Sequence, residues 1–490
     1  MYLFYFVLSS IPYFLAALFI VNMVIAFTII FLERKNPSAT LAWIMILFLL
    51  PVVGILFYFL FSQNLSRKKI FQLTRYEEEI INTSLQTQIQ EMKDGEYSFT
   101  TRSAKYWKDM IRLNQVYGQA YFTQDNKIEI LTDGQHMLRK LLNDIRGAQN
   151  TINIQYFIIK NDVIGRILIK SLTKKVKQGI EVRLLIDAMG GRQLSRRTPC
   201  IKEFVSAGGH VSFFFPPKLK FLNLKLNYRN HRKIVVIDGE IGYIGGFNIG
   251  KEYVGKKKKF GYWRDTHLKV LGGCVQDINA RFLMDWRFAS KEKLILSEAY
   301  YSDIIKEGCT GVQIVSSGPD GGKSQIKRSY MKVITSATKN IYIQTPYFVP
   351  DNSILECLKM AAQSGVDVRL MIPCMPDHMF VYWATYAYAG ELIKSGAKVF
   401  VYDKGFLHAK TMVADGEVAS IGSANFDVRS FRLNFEANAF IFDEKEARKM
   451  QKIFEKDMKD CHELTKKLYM ERGLKIKFKE SVARLLTDIL

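Results

Sequence analysis

The sequence predicts an α/β protein built from two copies of one unit, set behind an N-terminal hairpin of two transmembrane helices. Three observations predict this. A stretch reading HRKIVVIDGEIGYIGGFN at 231–248 recurs as HAKTMVADGEVASIGSAN at 408–425. The segments ahead of each stretch also match, 340–344 repeating 150–155 and 365–370 repeating 179–184. Finally, no charged side chain occurs from Met1 to Leu32, or from Leu41 to Ser66.

At 490 residues the chain can hold two ordinary domains with a sizeable core. Its formal charge of +23 implies an anionic partner, either nucleic acid or an acidic membrane. The six cysteines (200, 274, 309, 357, 374, 461) include no CxxC pair and no histidine at zinc-ligand spacing. That argues against a disulfide framework or a structural metal. A span needs about 20 apolar residues, so 3–32 and 41–61 both qualify. The first lacks the basic start of a signal peptide and is too long for its apolar region. Arg34 and Lys35 lie in the link, whereas Arg67, Lys68, Lys69 and Arg75 follow the second run. The larger basic cluster puts both ends of the hairpin on the cytoplasmic side.

Residues 1–62 thus form the hairpin, and the polar, mixed-charge stretch 63–118 reads as a helical membrane-proximal linker. The first unit takes 119–300, with strands near 128–131, 151–159 and 182–186 and helices near 137–146 and 163–177. The second takes 301–490 and replays them with strands at 311–316 and 340–344 and a helix at 326–335. Its end, 466–490, is basic and apolar at helical spacing, a tail that packs on the body or lies on a bilayer. Val211 maps to Val399 but His231 to His408, so the first copy carries 11 more residues before its histidine. They fall in the aromatic, basic, proline-broken stretch 213–222. A second excess, 17 steps from Asn248 to Asp265 against 11 from Asn425 to Glu436, coincides with the four lysines at 256–259. Both insertions are solvated loops or bilayer contacts, where each basic residue near anionic lipid contributes about 1 kcal/mol.

On a strand, residues two apart share a face, so His231 would project with Lys233 and His408 with Lys410. Asp238-Gly239 and Asp415-Gly416 supply hairpin turns. The returning strands bring Gly246 and Asn248, and Ser423 and Asn425, back beside the basic pairs, where small residues let a ligand approach backbone N–H groups. Imidazole, ammonium, amide and main-chain donors together suit a phosphodiester. Of two histidines, one attacks phosphorus while the other protonates the leaving alcohol and deprotonates the incoming one. No Asp/Glu cluster at metal-binding spacing accompanies them, which predicts phosphoryl transfer without metal or cofactor. Asp265 and Glu436 follow the two motifs at similar distances and either orient a histidine or form plain salt bridges. His267 alternates with Asp265 and is a further candidate for the site lining. The aromatic helix after His378 is core, or a wall for acyl chains.

With Asn248 and Asn425 included, this constellation resembles the phospholipase D superfamily, whose signature is HxKxxxxD followed by a Gly/Ser-rich turn and Asn. The stretches PSATLAW (37–43), SGPD (317–320), QTPYFVP (344–350), FLHAK (406–410) and NFDVRSFRLNFE (425–436) are similar to bacterial cardiolipin synthases, and the likeness covers nearly the whole chain. It implies two phospholipase D-like α/β/α units packed as a pseudo-dimer at a bacterial plasma membrane. It also implies phosphatidyl transfer between two phosphatidylglycerols through a phosphatidyl-histidine, giving cardiolipin and glycerol. The catalytic set carried over is His231, Lys233, Asp238, His408, Lys410 and Asp415, with His231 as nucleophile and His408 as acid/base. Within that set Asp238 and Asp415 are hydrogen-bonding support. Asn248, Asn425, Gly246 and Ser423 are expected to contact the phosphate, and Asp265 and Glu436 to stand behind the histidines. The expected partners are phosphatidylglycerol, cardiolipin and an anionic bilayer; no nucleic-acid module is recognised, so no nucleic acid is expected. A hydrolytic phospholipase D or another phosphatidyltransferase would use the same residues. The net charge also admits a membrane-tethered nuclease.

Overall fold

The computed structural model describes residues 2–33, 37–61, 70–71, 73–216, 227–294, 308–320 and 322–487. The basic residues at 34, 35 and 67–69, and 217–222 of the aromatic insertion, lie outside these ranges.

One helix among the described residues, Ser10–Phe31, is long and apolar enough to cross a membrane. The second apolar run is not the single helix expected over 41–61. It forms Pro37–Leu49 and Pro51–Phe61, with a bend at Leu50. Pro51 has no N–H to continue the helix, which is why the break falls there. The rings of Trp43 and Tyr58 meet edge-on at 5.6 Å, whereas an unbroken helix would set residues 15 apart at about 22 Å. The second piece therefore folds back along the first.

Seven strands carry the first unit: β1 (Phe122–Asp133), β2 (Thr151–Tyr156), β3 (Glu181–Asp187), β4 (His210–Phe214), β5 (Ile234–Ile237), β6 (Ile241–Gly245) and β7 (Tyr262–Leu271). The second unit repeats them in order as β8 (Thr310–Ser317), β9 (Asn340–Gln344), β10 (Asp367–Pro373), β11 (Lys398–Tyr402), β12 (Thr411–Ala414), β13 (Val418–Gly422) and β14 (Glu436–Phe442). All lie in one 16-stranded sheet whose main order is β4-β3-β2-β5-β6-β7-β1-β8-β14-β13-β12-β9-β10-β11, the same sequence read outward from the β1–β8 seam. The seam is antiparallel, Phe122 opposite Gln313 and Thr123 opposite Val312. Parallel β2, β3 and β4 take helical crossovers, Val163–Val176 and Pro199–Ser206, while the motif strands β5 and β6 form a tight antiparallel hairpin.

Alternation within β5 shows how the layers form. Val235 and Ile237 face a core with Leu168 and Leu172 of the crossover helix. Ile234 and Val236 face the other way, into a core with Ile278 and Phe282 of the helix Cys274–Ser290. That second core also takes Tyr342, Val413, Ile421 and Phe454 from the second unit, so the two units share it. Residues 102–118 are not a free linker. Trp107, Met110 and Ile111 are buried with Ile326, Tyr330 and Val333, and the segment packs as part of the second unit. Glu77, in the helix Arg75–Asp94, pairs with Arg287 of the first unit at 2.9 Å. The C-terminal segment packs on the body through Tyr469 and Ala483, yet leaves Leu474, Phe478 and Leu485 exposed.

Candidate active site

The chain enters β5 and β12 through extended segments that carry the two motifs, so each histidine and lysine stands just ahead of its strand rather than in it. Each segment is bonded to the opposite unit. The His231 N–H donates to the Phe435 carbonyl at 2.9 Å, and the Phe435 N–H to Arg229 at 2.8 Å. The His408 N–H donates to the Arg264 carbonyl at 2.7 Å, and 405–407 runs parallel to 262–264. The seam thereby brings both histidines to one cavity of about 710 Å³, which Asn248, Asn425, Tyr347 and Trp263 also line.

The acidic residues cross between units. His231 Nδ1 lies 3.0 Å from both oxygens of Glu436, and His408 Nδ1 lies 2.5 Å from Asp265 Oδ2. Both carboxylates are fully buried. A carboxylate at Nδ1 makes that nitrogen the N–H donor, and Nε2 is left with its lone pair for the cavity. Each lysine folds back to donate to the carbonyl of its own histidine, Lys233 at 2.5 Å and Lys410 in the same way, and Lys410 Nζ stands 2.9 Å from His408 Nδ1.

Burial dominates the electrostatics. It pushes His408 down to about 4, with the Lys410 ammonium adding to the shift and Asp265 opposing it. His231 is lowered by burial too, with Glu436 opposing. Burial holds Lys233 well below its ordinary value and takes Lys410 to about 8. Burial alone would raise Asp265 and Glu436, but Lys410 and His408 outweigh it for the first and His231 for the second, so both stay ionised. The free site is thus two neutral imidazoles backed by two anions and two partly discouraged cations.

Four expected site residues do other work. Asp238 and Asp415 sit at the turns, at φ of 53° and 57°, beyond the far ends of β5 and β12 from the histidines. Asp238 accepts the N–H groups of Gln149, Asn150 and Thr151 at 2.7–2.9 Å, and Asp415 those of Thr338, Lys339 and Asn340 at 2.8–2.9 Å. They pin the starts of β2 and β9 and are not catalytic groups. Gly246 and Ser423 spend their N–H groups on the Thr266 and Ala437 carbonyls, leaving none for a phosphate. Gly246 instead makes room for an acid, since a Cβ there would meet Asp265 Oδ1 at 2.0 Å. Ser423 Oγ donates to Glu436 Oε2 at 2.5 Å. His267 does not line the cavity; burial takes it down to about 3, between the rings of Tyr243 and Phe247. The helix Met379–Lys394 divides, with Phe380 and Val381 in the cavity wall and Ala384 and Tyr388 in the core.

The family model described as "Cardiolipin synthase, PLD-like domain" matches residues 141–286 and 330–458, and one described as "Phospholipase_D-nuclease N-terminal" matches 20–63. The major cardiolipin synthase of Bacillus subtilis is 47% identical over 477 residues, 97% of this chain and 98% of that one. The cardiolipin synthase of Oceanobacillus iheyensis is 46% identical over 472 residues, 96% and 98% of the two chains. The chain belongs to the bacterial cardiolipin synthases of the phospholipase D superfamily. Its fold is shared at 14% identity with the crystal structure of phosphatidylserine synthase from Haemophilus influenzae, with a TM-score of 0.58 over 78% of this chain and all of that one.

In this synthase, several residues of the site come without a motif. Arg232, between His231 and Lys233, donates to Asp285 at 2.8 Å and to the Glu436 and Ser317 carbonyls at 3.1 Å. Its positional counterpart is Ala409, and the guanidinium on that side is Arg264, which donates to Asp457 at 2.8 Å and to the Asp265 carbonyl. Phe435 is in turn the counterpart of Arg264. Each of the two cross-unit contacts therefore holds one of these arginines, on the motif segment in one and on the strand facing it in the other, and both come from the first unit. Comparing the two copies position by position, rather than by motif, marks these residues.

Proposed function

We propose that this synthase moves a phosphatidyl group from one phosphatidylglycerol to another by alternate use of the two histidines. The observation that carries the reading is that both imidazoles reach one cavity with Nδ1 held by a carboxylate of the other unit. His231 Nε2 attacks phosphorus, the bond from phosphorus to the glycerol oxygen breaks, and the proton on His408 Nε2 goes to the departing glycerol. His408 then takes the proton of the second lipid's terminal hydroxyl, whose oxygen attacks phosphorus as the bond to His231 breaks. Cardiolipin leaves, and His408 is protonated again. The anionic phosphodiester, placed between the rings, offsets the burial that keeps them neutral in the free site. Lys233 and Lys410 add positive charge behind the phosphoryl oxygens.

The same reading sets the protein on an anionic bilayer. The apolar segments up to residue 61 anchor it in a bacterial plasma membrane, and the basic residues after them favour a cytoplasmic body. The helix Leu474–Leu486 supports contact with the lipid surface: Leu474, Phe478, Val482 and Leu485 form one exposed apolar stripe, with Lys475 and Lys477 beside it. Thr487, just beyond it, lines the cavity. The lysines at 256–259 are exposed as well, although Lys257 turns onto Glu252 at 2.9 Å.

Purified full-length protein incubated with phosphatidylglycerol vesicles tests the reaction. Cardiolipin and glycerol in equal amounts are expected on lipid chromatography. Phosphatidic acid with glycerol would instead make the protein a hydrolase.

A further inference from the structure

The two ends of the cavity are not equivalent, although the machinery between them is. Three positions that correspond between the copies differ in kind. Arg229, two residues before His231, stands where the other copy has Phe406. Arg429, four after Asn425, corresponds to Glu252, and Asn434, two before Glu436, corresponds to Trp263. At the His408 end Trp263 packs on Phe406 at 4.8 Å and on Phe260 at 5.4 Å, and Lys160 and Lys257 neutralise Glu252 at 3.5 and 2.9 Å. That end is aromatic, and both its lysines are turned onto one carboxylate.

At the His231 end the cavity is lined by two guanidiniums, one from each unit. Arg229 is buried and lies 3.8 Å from Asp187; Arg429 donates to the Asn227 carbonyl at 3.3 Å, and burial lowers it while Asp427, also in the cavity wall, opposes that shift. The two are close enough for Arg429 to depress Arg229, adding to the larger effect of burial. Beside them, the side-chain carbonyls of Asn425 and Asn434 are buried and accept no hydrogen bond from the described residues. Nothing in the two-histidine chemistry asks for a guanidinium from each unit at this end, since Lys233 and Lys410 already stand behind the histidines.

The reaction does ask for something one-sided. Its acceptor carries a phosphodiester of its own, one glycerol away from the hydroxyl that attacks, with a second hydroxyl on the carbon between. We propose that Arg229 and Arg429 form a subsite for the phosphodiester of the acceptor lipid, and that the Asn434 side-chain carbonyl accepts a hydrogen bond from the hydroxyl of its central carbon. The subsite makes the acceptor a phosphatidylglycerol rather than a free alcohol or water. It rests on the transfer reaction proposed above, and it adds the residues that choose the second substrate.

Two rates measured on the same sample test it. One is exchange of labelled glycerol into phosphatidylglycerol, which needs the donor steps and only a neutral alcohol as acceptor. The other is cardiolipin formation, which needs the acceptor's phosphate. In R429Q, cardiolipin formation is expected to fall at least tenfold more than exchange, with a raised KM for phosphatidylglycerol as acceptor. R429K, which keeps a charge, is expected to fall between R429Q and the parent. Parallel loss of both rates would overturn the subsite, because it would place Arg429 on the reacting phosphate or in the fold. An unchanged ratio with both rates intact would overturn it equally. If the unsubstituted protein showed no exchange at all, the histidine-linked transfer would fail, and the subsite with it.

Discussion

Replacing Arg232 by alanine removes a buried guanidinium from four acceptor atoms: both oxygens of Asp285 and the carbonyls of Ser317 and Glu436. Breaking a buried charge pair by deleting one partner costs about 3–5 kcal/mol. Asp285 keeps Arg281 and Gln155 at 2.8 Å and Asn230 at 3.0 Å, so the loss belongs near the lower end of that range. F435R alone crowds a second guanidinium against the same carboxylate and is expected to be destabilising by a similar amount. The double substitution R232A/F435R is different. It rebuilds, around Asp285, the arrangement that Arg264 and Ala409 already make around Asp457. Urea unfolding of the detergent-solubilised full chain, read as a double-mutant cycle, is expected to give a favourable coupling of at least about 2 kcal/mol. Cardiolipin formation should recover along with stability, because Arg232 holds the backbone of the acid that orients His231. Additive losses, with the double variant worse than either single one, would refute the positional equivalence of the two arginines.

The remaining expectations concern the chemistry. With labelled phosphatidylglycerol, H231A should trap no covalent lipid, whereas H408A should trap some while slowing turnover about 10²–10⁴-fold; the opposite pattern would exchange their roles. Since burial lowers both histidines, kcat/KM should peak on the acid side of the ordinary imidazole value and fall as pH rises. D265N removes a group that raises His408, so its falling limb should move to still lower pH, which a pH–rate profile in vesicles would check. Activity should survive EDTA, as read by cardiolipin yield before and after chelation. Finally, G246S should abolish activity while S423G loses about 1.5–3 kcal/mol of hydrogen bonding to a charged group. A Cβ at 246 collides with Asp265, whereas Ser423 merely donates to Glu436. Activity of both variants beside their melting temperatures would separate the two effects.

Much of this architecture is legible in the residues. The duplicated units and their motif hairpins follow from the repeat, because an apolar run such as Ile234–Ile237 ahead of an Asp-Gly turn has few folds open to it. The histidines and lysines are legible for the same reason. What the sequence hides is which unit each group serves. The 34 positions separating His231 from Asp265 suggest a pair within one unit, yet the carboxylate at His231 is Glu436. Only the antiparallel seam between β1 and β8 decides that, and its pairing depends on packing across both units. The break at Pro51 was visible as a residue, but hydropathy sums over a run and does not register where a donor is missing. Asp238 and Asp415 were visible as motif members, although their three N–H bonds at the start of the neighbouring strand belong to no sequence pattern.

Cross-pairing also explains why the duplicated copies could diverge without losing the site. A histidine whose carboxylate came from its own unit would be oriented in that unit before docking. Here each half supplies one imidazole and the anion for the other, so both must be present and docked before either Nε2 is set. Once docking is obligatory, positions flanking the seam no longer need to obey the symmetry. Asp285 and Asp457 each take an arginine from one member of a facing pair, Arg232 at one contact and Arg264 at the other. The same freedom lets one end of the cavity be lined by Arg229 and Arg429 while the other becomes aromatic through Trp263 and Phe260. A symmetric catalytic centre joined to unlike ends suits a reaction whose two substrates are the same molecule in different roles.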